Sequence, residues 1–263
     1  MRKSNLKRRF VQIRYRMAVH MTNRYKHTEK LKSLTHYFSF GEKLLWSLSA
    51  AAILISFFAF DRANYLTLAA SLLGVTSLIF NAKGNPFGQF LMIVFSVLYG
   101  VISYTFYYYG EMITYLGMTA PMAAFALFTW LKNPYNGNKA QVKVHQMHKK
   151  EAVWAILLTA AVTAVFYFIL DAFHTANLLP STISVATSFL AAYLTFRRSP
   201  YFALAYAAND LVLILLWILA AITDISYLSV IICFILFFVN DVYGFYSWKR
   251  MQKQQNRSTS EKH

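Results

Sequence analysis

The sequence predicts an all-α membrane protein with eight transmembrane helices. Hydrophobic residues make up 57% of the 263 residues and charged residues 14%, whereas a typical soluble domain has roughly 25% charged residues. The apolar residues also form eight runs of the length that crosses a bilayer core, which is about 20 residues for a helix. Barrel strands would be about ten residues long and would alternate apolar with polar residues, so the runs predict helices.

The eight runs divide the chain into three parts. A basic segment, 1–43, precedes a transmembrane domain, 44–248, and a tail, 249–263, follows it. The first six runs carry no charged side chain, and the last two carry one aspartate each, Asp210 and Asp241. In order, the runs are 44–60, 65–82, 87–109, 112–131, 152–170, 175–196, 201–223 and 225–248.

The basic residues predict how the helices are oriented. With a cytoplasmic N-terminus and eight crossings, every lysine and arginine except Arg62 falls on the cytoplasmic side, as the positive-inside rule requires. Glu111 and Asp171 then lie in the turns on the other side. We therefore expect both termini in the cytoplasm. The net charge of +16 follows from this distribution, so no nucleic-acid partner is expected.

A faint internal repeat lies on either side of the loop 132–150. Pro86 begins one helix and Pro200 begins another, and each is followed, 44 and 48 residues later, by a tryptophan at a helix end, Trp130 and Trp248. Helices two to four (64–131) should therefore correspond to helices six to eight (176–248), with helix five (151–170) as the linker and helix one outside. An even number of crossings separates the copies, which gives a parallel repeat in a 3+1+3 arrangement, like that of the SWEET sugar transporters.

The candidate substrate-binding residues are Asn209, Asp210, Trp217, Asn240 and Asp241. An aspartate at the centre of a membrane helix costs about 2.5–3.5 kcal/mol, so such a residue usually faces a cavity or a partner. Each aspartate follows an asparagine, and Trp217 lies seven residues after Asp210, on the same helix face. Interhelical hydrogen bonds that hold the bundle together are the alternative role for the polar residues.

Other sequence features narrow the functional class. Trp130, Trp154 and Trp248 lie at helix ends, where an aromatic belt at the membrane interface is expected. The sequence has no His-x₃-His pair, no Gly-rich phosphate loop and no Gly-x-Ser-x-Gly elbow, so no enzyme class is favoured. We expect no metal and no other cofactor. A homo-oligomer is compatible with the sequence.

The C-terminal half resembles the PnuC family of bacterial vitamin transporters. The resemblance rests on YFALAYAANDLVLILLW (201–217), FVNDVYGFYSWKRM (238–251) and YYYGEMITYLGMTAPM (107–122), and it covers helices two to eight. It implies a SWEET-like bundle in the bacterial plasma membrane, with Asn209, Trp217 and Asn240 as substrate-site residues. In one departure, family members often follow Pro-Met with Gln, whereas this chain has Ala123 and Ala124.

The resemblance also implies a substrate. Family members take up nicotinamide riboside by facilitated diffusion with alternating access, and a kinase traps it inside by phosphorylation. Nicotinamide riboside is a pyridinium cation, which Trp217 could stack on and Asp210 could neutralise. Thiamine, also an aromatic cation, fits the same residues, and neutral riboflavin fits them less well. A non-transporting membrane receptor or sensor is the other class that stays open.

Overall fold

The computed structural model describes residues 37–105, 109–175 and 177–260, and most of the basic segment 1–43 lies outside this part of the chain. Within the described residues there are eight helices long and apolar enough to cross a membrane, so the predicted fold class is confirmed. They are α1 Phe40–Phe60, α2 Tyr65–Ala82, α3 Pro86–Thr105, α4 Tyr109–Lys132, α5 Lys149–Ala172, α6 Leu178–Phe196, α7 Tyr201–Ala221 and α8 Leu228–Ser260.

Six of these helices form a closed ring. Going round it, α2 packs on α3, α3 on α4, α4 on α6, α6 on α7, α7 on α8, and α8 on α2 again. The linker helix α5 packs outside the ring against α6. Helix α3 therefore lies between α2 and α4 as α7 lies between α6 and α8, which is the packing that two equivalent triplets produce. The residue limits given above for the two repeats stay predictions.

The first helix is joined to the ring by hydrogen bonds. Trp46 Nε1 of α1 donates to Thr76 Oγ1 of α2 at 3.0 Å, and Asn240 Nδ2 of α8 donates to Ser49 Oγ of α1 at 3.1 Å. Ile53 and Phe57 of α1 are also buried. Helix α1 thus adds to a bundle whose ring closes without it.

The helix pairs α2–α3 and α6–α7 are connected by turns of the same design. Each turn contains a left-handed residue, Gly84 with φ 66° and Arg198 with φ 57°. Each is followed by a proline at the start of the next helix, Pro86 and Pro200. Proline suits this position because its missing N–H needs no partner in the first turn. Both turns lie at the end of the bundle that carries the lysine-rich loops, which we call the basic end.

Trp130 and Trp248 seal the basic end from within, so their predicted place in an interfacial belt is wrong. Both side chains are fully buried, whereas Trp154 is 62% exposed. Trp130 Nε1 donates to the carbonyl of Thr195 at 2.9 Å, and Trp248 Nε1 donates to the carbonyl of Asn81 at 2.7 Å. Each tryptophan therefore donates to a carbonyl near the C-terminus of the first helix of the other triplet, and that carbonyl also accepts a backbone N–H of the following turn, from Arg198 or Gly84.

The loop 132–150 and the predicted tail form one structure on this end. Strands β1 Pro134–Tyr135 and β2 Asn138–Val142 make a hairpin, and α8 continues to Ser260 instead of ending at 248. Gln255 of α8 binds the loop twice, accepting from Val144 N at 2.9 Å and donating to Val142 O at 3.1 Å. The hairpin is therefore fixed to the helical tail.

A π turn interrupts α4 at Tyr115–Thr119. Pro121 follows it and has no N–H, so Gly117 cannot receive the usual helical bond from four residues ahead. The chain responds with a wider turn in which Ala120 N donates to Tyr115 O. Mid-helix Pro121 is thus accommodated by a π turn, a feature that is common at functional sites.

Candidate functional site

A small cavity of about 40 Å³ lies at the centre of the ring. Helix α7 contributes Asn209 and Asp210 to its wall, and α8 contributes Asp241. These three of the five predicted site residues are therefore brought together. Asp210 is 4% exposed and Asp241 is 5% exposed, so both carboxyl groups are removed from bulk solvent.

Both carboxyl groups line the same cavity of about 40 Å³, so they lie close to each other. Two ionised carboxylates in contact would repel each other strongly in a site without water. The pair is stable when a proton or a cation lies between the two groups. Oδ2 of Asp210 is buried and has no hydrogen-bond partner among the described residues. The arrangement is therefore suited to receive positive charge.

Hydroxyl groups of α6 hold Asn209 in a fixed orientation. Its Oδ1 accepts from Thr187 Oγ1 at 2.8 Å, Ser188 Oγ at 3.0 Å and Ser184 Oγ at 3.3 Å. With the carbonyl oxygen engaged in this way, the amide nitrogen is the group that Asn209 can offer to a ligand. The network fixes both the position of the donor and its direction.

Aromatic side chains close the small cavity on the side away from the basic end. Tyr115, on the π turn, contacts Tyr99 with ring centroids 4.5 Å apart. Tyr99 in turn contacts Phe234 at 6.0 Å and Trp217 at 6.5 Å. Edge-to-face and tilted pairs at these distances are attractive. We call Tyr99, Tyr115 and Phe234 the aromatic partition.

A larger cavity of about 510 Å³ lies beyond the aromatic partition. It is formed where α4 and α6 begin and where α5 and α7 end, at the end of the bundle opposite the basic end. Trp217 and Glu111 both line it, together with His174 and Thr175. Trp217, predicted to share a helix face with Asp210, therefore lines a different cavity from the two aspartates.

Asn240 lines neither cavity. Its Nδ2 donates to Ser49 Oγ at 3.1 Å and to the carbonyl of Leu236 at 2.8 Å. The bond to Ser49 gives the amide a role in holding α1 against α8, which is the interhelical alternative, whereas the bond to Leu236 lies within α8. A substrate contact for Asn240 stays a prediction.

Comparison with known proteins decides the family of this ring of helices. A family model described as "Nicotinamide mononucleotide transporter" matches residues 64–250, which covers α2 to α7 and most of α8. The chain belongs to this family. The match leaves α1 outside, in agreement with a ring that closes without it.

Two known proteins resemble this member of the nicotinamide mononucleotide transporter family over most of its length. The "Nicotinamide riboside transporter PnuC" of Neisseria mucosa is 24% identical over 218 residues, which are 81% of this chain and 82% of the relative. The solved "Crystal structure of the Vitamin B3 transporter PnuC" aligns with a TM-score of 0.73 and 21% identity, covering 83% of this chain and 94% of that one. The predicted family and transporter class are confirmed.

For this family member, sequence reasoning missed the carboxylate in the large cavity. Glu111 was expected in an outer turn, but it lies in the first turn of α4 and lines the cavity. Only Gly110 and Glu111 separate the apolar runs 87–109 and 112–131. A connection this short keeps its carboxylate close to the bundle, and that spacing is the signal that could have found it.

Proposed function

We propose that this transporter carries nicotinamide riboside, or a closely related aromatic cation, across the bacterial plasma membrane. The observation that supports this substrate is the sign of charge in the two cavities. Asp210 and Asp241 line the small cavity and Glu111 lines the large one, whereas neither lining includes a lysine or arginine among the described residues. A cation is the ligand that such walls favour.

The same charges favour nicotinamide riboside over nicotinamide mononucleotide, the compound that the family description names. A mononucleotide carries a phosphate group with a charge of about −2 at neutral pH, and phosphates are usually bound by arginine, lysine or helix N-termini. Here the phosphate would meet carboxyl groups instead. The riboside lacks the phosphate and keeps the positive pyridinium ring, so it matches both cavities.

Aromatic and amide groups would supply the remaining contacts. A pyridinium ring over the face of Trp217, Tyr99 or Tyr115 gains about 1–2 kcal/mol by cation–π attraction. The Asn209 amide nitrogen can donate to the ribose or to the carboxamide oxygen. Ligand pockets combine a few such fixed polar groups with apolar walls, which is the composition of the small cavity.

The transport cycle that these features support is alternating access. Ligand pockets have volumes of about 300–1,000 Å³, so the small cavity at about 40 Å³ must widen to hold the substrate. Movement of the aromatic partition would open it toward the large cavity. Separation of Trp130, Trp248 and Phe202 would open it toward the basic end, since these rings pack together there. The π turn that carries Tyr115 is a flexible point for the first movement.

The distribution of basic residues supports one orientation of the bundle in the membrane. We propose that the basic end and both termini face the cytoplasm, because the positive-inside rule favours this orientation. The large cavity then faces outward. We propose passive movement, with phosphorylation inside the cell removing free substrate and so sustaining uptake.

Uptake into proteoliposomes tests this function. Nicotinamide riboside, nicotinamide mononucleotide, thiamine and riboflavin are offered in parallel to vesicles without a kinase or an ion gradient. We expect the riboside to enter until the inner and outer concentrations match, and the mononucleotide to be excluded. If only thiamine enters the vesicles, thiamine is the substrate and the proposal of nicotinamide riboside is wrong. Transport of none of the four would favour the receptor class, and accumulation that an ionophore abolishes would show ion coupling.

A further inference from the structure

We propose that the large cavity is a binding site in its own right, where an aromatic cation is held before it reaches the small cavity. Glu111 is its anionic partner and Trp217 its aromatic surface. This inference rests on the proposed function for the identity of the physiological ligand, but cation binding at Glu111 is testable by itself.

The two cavity volumes require a stage that precedes the small cavity. At about 510 Å³ the large cavity falls within the range of ligand pockets. The small cavity at about 40 Å³ holds little more than one water molecule. In this conformation only the large cavity of the two accommodates a nucleoside, so the first contact with substrate occurs there.

Glu111 has the chemistry of an unfilled cation site. Its Oε2 is buried and has no hydrogen-bond partner among the described residues, and the side chain lines the large cavity. A buried carboxylate oxygen without a partner is costly. A cationic ligand in the cavity would provide the missing partner. Among the described residues, the lining of the large cavity includes no lysine or arginine that could do so in its place.

The surroundings of Glu111 complete the recognition of a nucleoside cation. Trp217 is held from two sides, by Tyr227 at 5.3 Å and Tyr99 at 6.5 Å between ring centroids, so its position is fixed. The Thr175 hydroxyl lines the same cavity and is also buried without a partner among the described residues. It offers a hydrogen bond that a ribose hydroxyl can accept or donate.

Gly110 keeps Thr175 and Glu111 in the same cavity. A Cβ atom at this position would lie 2.8 Å from both Leu170 Cδ2 and Thr175 Cγ2, which is closer than packed atoms approach. Helix α4 can therefore begin directly against the end of α5 only with glycine here. This close approach brings the Thr175 hydroxyl and the carboxylate of the next residue, Glu111, into the lining of one cavity.

A second carboxylate lies near the mouth of this cavity. Asp224 follows Thr223, which lines the cavity, and the Ser226 backbone N–H donates to Asp224 Oδ1 at 2.9 Å. That bond lowers the pKa of the Asp224 carboxyl group, so the group is ionised at neutral pH. The mouth and the interior of the cavity thus attract charge of the same sign.

Binding of a minimal ligand pair tests the site independently of transport. The probes are 1-methylnicotinamide, a pyridinium cation, and neutral nicotinamide, and binding is measured by saturation-transfer NMR on the purified protein. The background is Asp210→Asn with Asp241→Asn, which removes the carboxylates of the small cavity. We expect the cation to bind in preference to the neutral probe. Glu111→Gln should reduce the affinity for the cation about tenfold and leave the neutral probe unchanged.

Matched variants distinguish the effect of losing the Glu111 charge from an effect on folding. Glu111→Asp retains a carboxylate and should keep most of the preference, whereas Asp171→Asn removes an exposed carboxylate of the neighbouring turn and should change neither probe by more than about twofold. Equal binding of cation and neutral probe, or a preference that survives Glu111→Gln, would overturn the proposed site. If the preference depends on Glu111 but wild-type vesicles take up no riboside, the cation site stands and the proposed substrate is wrong.

A kinetic measurement in the native background places the site on the transport route. Glu111→Gln should slow uptake of nicotinamide riboside about tenfold at low concentration and leave the rate at saturation within about twofold. The neutral 1,4-dihydro form of the riboside should be affected less than twofold. An equal loss for the charged and neutral forms would show that Glu111 supports the structure and does not attract the cation.

Discussion

The two triplets of helices share a frame but differ in chemistry. Trp130 of the first triplet and Trp248 of the second each donate from Nε1 to a backbone carbonyl near the end of the other triplet's first helix. The turns before α3 and α7 each have a left-handed residue, Gly84 and Arg198. The parts that close the bundle are therefore duplicated.

The polar site residues are not duplicated. When Pro86 is aligned with Pro200, Asn209 and Asp210 correspond to Phe95 and Ser96. When Trp130 is aligned with Trp248, Asp241 corresponds to Ala123. In the small cavity, the second triplet therefore supplies the charge and the fixed amide, and the first supplies the aromatic rings of Phe95 and Tyr115. An aromatic cation needs both kinds of surface, which one symmetric site would provide less well.

The largest expected effect is the loss of the carboxylates in the second triplet. Asp210→Asn or Asp241→Asn should reduce low-concentration uptake of nicotinamide riboside at least about 30-fold, because removing one partner of a buried charge interaction costs about 2–5 kcal/mol. Initial rates in proteoliposomes measure this. Ser96→Ala is the matched change in the first triplet, where the hydroxyl donates only to Met92 O in its own helix. A similar loss of uptake in Ser96→Ala would show that the two triplets do not differ in the way proposed.

The second expected effect concerns the duplicated tryptophans. Trp130→Phe and Trp248→Phe each remove one buried hydrogen bond to a carbonyl that keeps a backbone donor, Arg198 N or Gly84 N, so each change costs about 0.5–1.5 kcal/mol. Because the two bonds are equivalent, we expect both variants to lower the free energy of unfolding in detergent by similar amounts. Trp154→Phe is the control, since this side chain is 62% exposed. A much larger loss of stability in one variant would mean that the two indole hydrogen bonds, although alike in geometry, do not contribute equally to the stability of the bundle.

Substitutions in the turns before α3 and α7 should change the stability of the protein by similarly small amounts, and the two changes should have opposite signs. At Gly84 the positive φ is strained for a side chain, and a Cβ would lie 3.1 Å from Met251 Cε and 3.2 Å from Val142 Cγ1. Gly84→Ala should therefore destabilise the protein by about 1–2 kcal/mol. Arg198→Gly should stabilise it by about 0.5–1 kcal/mol, since glycine adopts this conformation without strain. Thermal unfolding measures both, and the same sign in both would contradict the shared design.

The frame was predictable from the sequence because it depends on run lengths and end signals. Apolar runs of fixed length predict the helices, and the Pro86–Trp130 and Pro200–Trp248 spacings predict the equivalent triplets. The cavities were harder to predict from the sequence, because helical periodicity indicates which face a residue occupies but not the depth at which a cavity lies. Trp217 shares a face with Asp210, but seven residues rise about 10.5 Å along a helix, enough to reach a different cavity.

The burial of Trp130 and Trp248 at the basic end could not be predicted from the sequence either. Trp130 and Trp248 occupy helix ends, where membrane proteins often place interfacial aromatic residues. Their burial depends on the hairpin of β1 and β2 and on the continuation of α8, since Val142 and Met251 pack in the same cluster. The loop 132–150 is polar, so its composition gives no sign that it covers the two indoles.

The smallest expected effect decides the role of Asn240, the second triplet's link to α1. Its counterpart in the first triplet is Met122, which has no amide. Hydrogen bonds between membrane helices contribute about 0.6 kcal/mol on average. Asn240→Ala and Ser49→Ala should each lower the free energy of unfolding by about this amount, and the double variant should cost little more than either single change because both remove the same bond. Affinity for nicotinamide riboside, measured by calorimetry on the folded fraction, should stay within about twofold of wild type. A loss of affinity in Asn240→Ala that Ser49→Ala does not share would place Asn240 in the substrate site, as its sequence position predicts.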